Sequence, residues 1–124
     1  MTEPALREAF AHEAVLVMDA DADLRAPGAA VTVELCGGWE HEPPCPLAPH
    51  VSEATREGPE VRLHVLFTTE PEHEATVRRR IDRALAAGRL QGPDGAVTEW
   101  RLRASASTPA QPDEVEWARR QSGA

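Results

Sequence analysis

The fifteen residues from Cys36 to His50, CGGWEHEPPCPLAPH, hold both cysteines and two of the five histidines of this 124-residue sequence. Cys36, His41, Cys45 and His50 are separated by four, three and four residues. Two thiolates and two imidazoles are a common ligand set for a four-coordinate structural zinc ion. Copper accepts the same ligands. The spacing is less familiar, because zinc modules usually pair cysteine with cysteine and histidine with histidine, whereas here the two types alternate along one loop. Pro43, Pro44, Pro46 and Pro49 restrict φ and so reduce the entropy lost when the loop closes around an ion. Glu40 and Glu42 flank His41, where they can orient its ring or replace an imidazole with an oxygen ligand.

Three chemistries compete for this segment. A bound divalent metal leads. Inert packing follows, since small-domain thiols are often buried like small hydrophobes and Trp39 with the prolines can fill a loop. A Cys36–Cys45 disulfide or redox pair comes third, because the chain is expected in the cytoplasm, where thiols stay reduced. If protein fills all four metal positions the site is structural; an open position would carry an acidified water, with His64 or Glu42 as general base. The leading reading is therefore a zinc-binding accessory protein and not an enzyme. The alternatives are a small metal- or thiol-dependent enzyme and a metal-free dimerisation or interaction module.

Other candidate groups carry less. His64 is expected on the polar side of a strand, in a structural role, and His12 and His73 on the surface. Asp19, Asp21 and Asp23 alternate like the start of a calcium loop, but Leu24 stands where that loop needs glycine and Ala30 where it needs glutamate. A solvated turn is expected there, punctuated by Pro27-Gly28.

Charge and composition narrow the function further. The formal net charge is −8, so the surface as a whole repels phosphate and nucleic-acid binding is not expected. Arg78, Arg79, Arg80 and Arg83 form a local basic group, but on a helix they point in several directions. No apolar run is long enough to span a membrane and no secretory signal is visible, hence the cytoplasmic expectation. The length suits one domain, and an aromatic fraction of only 4% implies a thin core that a homodimer could supplement.

The elements that must position the loop are expected as follows. Pro4, Leu6 and Phe10 suggest a helix over 4–12, followed by a short strand at 15–18. Val31, Val33 and Leu35 alternate with polar residues, which suggests a strand over 30–36 ending at Cys36. A loop over 36–59 follows. Residues 60–67 (EVRLHVLF) alternate clearly and make a central strand. The next helix, near 70–87, has Thr69 and Glu72 at capping-box spacing, a stripe of Val77, Ile81, Ala84 and Leu85, and Gly88 as its stop. A last strand is expected over 96–104, after a turn at Gly92–Gly95.

These expectations make one α+β domain over 1–105: an antiparallel sheet of about four strands under one main helix. A ferredoxin-like two-helix sandwich is the alternative, if the helix over 4–12 lies on the same sheet face. Residues 106–124, rich in Ser, Pro, Gln and Glu, are expected as a flexible or loosely docked tail.

Overall fold

The computed structural model describes residues 8–36 and 48–121. Residues 8–17 alternate Phe10, His12, Ala14 and Leu16 with Ala11, Glu13, Val15 and Val17, and this two-residue period makes them the long strand β1, Glu8–Val17. The helix expected over 4–12 is therefore corrected from Glu8 onward. Residues 4–7 of that expectation lie outside the described residues, and from Phe10 the alternation carried on through Leu16 decides the outcome.

The segment expected as a strand over 30–36 is helix α1, Ala26–Cys36. Ala26, Pro27, Ala30, Val31 and Leu35 are its buried residues, spaced four apart along two adjoining rows. Val31 and Leu35 fit both a strand and a helix; the alanines and Pro27 fit only the helix. Pro27 lies in the first turn, where a missing N–H costs nothing, so Pro27-Gly28 starts a helix instead of marking a turn. Asp23 prepares the start: its carbonyl accepts from the Ala26 N–H at 3.1 Å and its carboxylate from the Arg25 N–H at 2.9 Å.

Residues expected to belong to a long loop form β2, His50–Glu57, which turns through Gly58-Pro59 into β3, Glu60–Thr69. Gly58 adopts φ 64°, which favours glycine. β2 is an edge strand with no fully buried residue, and for that reason its sequence is polar.

β3 leads through a short 3-10 turn, Pro71–His73, into α2, Glu74–Ala86. The N-cap of the turn is Glu70, not Thr69, and no side chain caps it. Val77, Ile81, Ala84 and Leu85 are all buried, as their spacing predicts. The expected strand over 96–104 divides at Trp100. β4, Arg89–Gln91, pairs with β5, Val97–Glu99, in a small hairpin, and β6, Arg101–Thr108, joins the main sheet. β6 crosses the boundary expected at 105/106, and α3, Pro112–Gln121, follows it.

The fold is α+β. Its main sheet has four antiparallel strands in the order β2-β3-β1-β6. The crossovers β1–α1–β2 and β3–α2–β6 each leave one strand position between their ends, a split βαβ arrangement. Three helices cover the sheet in place of one main helix. α1 and α2 pack together, and Val31, Leu35, Val77, Ile81 and Leu85 share one cluster with Leu16, Leu63, Val65 and Phe67 of the sheet. α3 lies across the other face of β1 and β3, where Ala11, Leu66 and Ala118 are buried outside that cluster. No helix among the described residues is long and apolar enough to cross a membrane.

Candidate functional site

Of the four expected metal ligands, Cys36 ends α1 and His50 begins β2, while His41 and Cys45 lie outside the described residues. His50 leans back onto the helix, its Nε2 2.9 Å from Thr32 Oγ1 and its Nδ1 2.9 Å from the Ala48 carbonyl. The carbonyl can only accept, so Nδ1 carries a proton and Nε2 faces the Thr32 hydroxyl. Thr32 precedes Cys36 by four residues, one helical turn. The downstream end of the connection is anchored as well: Ala48 is fully buried in the core and the Pro49 carbonyl accepts from the Thr68 N–H at 3.0 Å. Gly28 lets α1 approach this strand, since a Cβ there would stand 3.1 Å from the Ser52 side chain. Beside it is a groove of about 300 Å³, lined by Leu24, Gly28, Thr32, Ser52, Ala54 and Leu63.

No three histidine, cysteine, aspartate or glutamate side chains among the described residues come together so as to hold a metal ion. Asp19, Asp21 and Asp23 form no such group. Asp19, Asp21 and Asp23 instead border an open surface depression with Thr98 and Glu99.

His64 belongs to neither end of the loop. It lies on the sheet face opposite Leu63 and Val65, bonded through Nε2 to Glu114 of α3 at 2.6 Å, with Glu13 Oε1 3.8 Å from Nδ1. His50 faces α1 on the other side of the sheet, so His64 and His50 do not share a cleft. His73 is half-exposed beside Glu70.

The largest departure from expectation is His12. It is 3% exposed, not a surface residue, because the phase of β1 sets it on the core face between Phe10 and Ala14. Arg78 NH1 sits 3.0 Å from its Nδ1 and also donates to the Ala11 carbonyl at 2.8 Å. A guanidinium can only donate, so Nδ1 accepts and the ring proton resides on Nε2. That nitrogen lies 2.6 Å from Ser105 Oγ and 3.3 Å from Asp82 Oδ1, and Ser105 donates in turn to Asp82. Arg78 is held further by Glu74 at 2.8 Å and lies over the rings of Phe10 and Phe67.

Ser105, His12 and Asp82 are the residue types of a hydrolytic triad, but the proton direction is reversed. In a triad the carboxylate holds Nδ1 and Nε2 takes the serine proton. Here Nε2 gives a proton to the serine oxygen and Arg78 occupies Nδ1, so the histidine cannot act as the serine's base. Burial pushes the His12 pKa below the ordinary histidine value of 6.5; Asp82 pulls it up, and Arg78 pushes it down. The neutral ring fits this wiring. The signal for the cluster was present in the sequence as the alternation of Phe10, His12, Ala14 and Leu16, once those residues are taken as a strand.

No protein-family model matches the sequence, and no curated protein matches it.

Proposed function

We propose that the connection between α1 and β2 binds a zinc ion through Cys36, His41, Cys45 and His50, and that the chain acts as a small metal-binding accessory protein and not as an enzyme. The observation that carries this reading is the return of His50 to α1. Its contact with Thr32 brings the last candidate ligand to within a helical turn of the first. The ring is also oriented in the manner of metal-bound histidines, with one nitrogen donating to a backbone carbonyl and the other directed elsewhere. On binding, Nε2 would exchange the Thr32 hydroxyl for the ion.

Several further features favour this reading over its competitors. Pro43, Pro44, Pro46 and Pro49 restrict φ and so lower the entropy cost of closing around an ion, and buried Ala48 fixes the described downstream end. Catalysis draws less support, since His64 is engaged with Glu114 on the far face of the sheet. A cytoplasmic location would keep both thiols reduced and available to the metal. The strong negative charge speaks against a nucleic-acid partner.

Elemental analysis and a thiol count on one purified preparation test the proposal. About one zinc per chain is expected, with Cys36→Ser and Cys45→Ser each lowering metal content, because a four-ligand structural site needs both thiolates. Copper in place of zinc would correct the metal and keep the site. Metal-free protein with two free thiols, or with an oxidised Cys36–Cys45 pair, would overturn it.

A further inference from the structure

We propose that His12 is a pH-operated latch: a proton arriving at its Nδ1 expels Arg78 from the crevice between α2 and β1 and loosens the first half of α2. The neutral ring has one place for a second proton. Nε2 already carries one, directed at Ser105 and Asp82. Protonation must therefore occur at Nδ1, where Arg78 NH1 stands 3.0 Å away as a donor. An N–H facing an N–H is not a hydrogen bond, and both groups would then be cations. One of them has to leave.

His12 cannot, because it is 3% exposed within a strand paired on both sides. Arg78 can, because it is a long side chain on α2 whose charged partner, Glu74, lies one turn earlier on the same helix and can travel with it. The groups facing His12 divide cleanly. α2 presents Glu74, Arg78 and Asp82; β6 presents Ser105 and, in register, Ser107; β3 presents Val65. Among the described residues Asp82 is the acid in direct contact with the ring, and it favours the charged state against burial and Arg78.

What Arg78 takes with it gives the event a structural consequence. Its NH1 also bonds the Ala11 carbonyl, and its guanidinium covers Phe10 and Phe67, whose rings lie 5.5 Å apart. Departure would open the end of the core nearest the α2 N-terminus. Farther along the helix, Ile81 and Leu85 remain fully buried and Trp100 Nε1 donates to the Leu85 carbonyl at 2.8 Å, so the second half stays seated. The response is confined to one end of one helix. The depressed pKa of His12 is consistent with a latch that is closed at neutral pH.

The test is a titration of the labelled full chain by nuclear magnetic resonance, from about pH 7.5 to about pH 4.5. The His12 ring and the Arg78 Nε–H are expected to change together, with a midpoint below that of an ordinary histidine. Amides in the first half of α2 should lose protection about tenfold through the same step, after correction for intrinsic exchange, while those near Leu85 hold. In His12→Gln the step should vanish. An Arg78 signal that titrates separately from His12, or a step that persists in His12→Gln, would overturn the latch. Should that variant fail to fold, the coincidence or separation of the two wild-type midpoints decides the question alone.

Discussion

The two β–α–β halves of the sheet solve the same problem differently. Each must return a helix to the sheet through an inserted connection. In the second half, the insertion between α2 and β6 is the β4–β5 hairpin, closed by peptide groups. Gly92 donates to the Ala96 carbonyl at 2.8 Å, Trp100 donates through its backbone to Gly88 at 3.0 Å, and its indole fixes the end of α2. In the first half the insertion between α1 and β2 contains Pro43, Pro44, Pro46 and Pro49, four residues with no N–H to give to such a hairpin. In their place it carries His41 and Cys45, between Cys36 at the end of α1 and His50 at the start of β2. One half relies on peptide hydrogen bonds and an indole; in the other, the proposed zinc ion would take that part.

The largest effect should come from removing the indole. Trp100→Ala deletes a 7%-exposed side chain and its bond to Leu85, and should cost about 3–5 kcal/mol in denaturant unfolding. A loss below about 1 kcal/mol would show that the hairpin is held by something else, and the comparison would fail on that side.

The first half is tested next, through the helical nature of α1. Leu35→Ala should cost about 2–4 kcal/mol, since Leu35 is 3% exposed in the core. Val33→Ala should cost much less, because Val33 lies on the flank of α1 and is only half-buried. Equal losses would restore the strand phase in which Val31, Val33 and Leu35 share a face, and would separate Cys36 from the helix end that positions it.

A smaller effect distinguishes the halves by pH. His12 has a folded pKa below its unfolded value of about 6.5, so between the two values the unfolded chain binds more protons and stability rises with pH. The contribution is fully present above about pH 6.5, falls as pH drops through that value, and levels off below the folded pKa. His12→Gln should flatten this part of the stability profile. A profile unchanged by the substitution would place the acid sensitivity elsewhere.

How much of this was legible in the sequence follows from contrast between neighbouring residues. α2 announces itself because Val77, Ile81 and Leu85 stand among arginines and glutamates. β3 does so by strict alternation from Val61 to Val65. α1 hides because nearly every residue from Ala26 to Leu35 is apolar or small, so the buried rows do not stand out from Ala29 and Val33 on the flanks. β2 hides for the opposite reason: an edge strand needs few apolar residues, and its polar run looks like a loop. The candidate metal ligands were legible by type alone. His12 was not, because its role depends on a strand phase that the Leu6–Phe10 spacing obscured and on partners at positions 78, 82 and 105, far away in sequence.

The claim that an ion holds the first connection is tested most directly by X-ray absorption at the zinc edge on the purified full chain. The account predicts a four-coordinate shell of two sulfurs at about 2.3 Å and two imidazole nitrogens at about 2.0–2.1 Å. Loss of one sulfur in Cys45→Ser and of one nitrogen in His50→Ala should follow. A preparation without an absorption edge for zinc or copper, or a shell containing no sulfur, would contradict it.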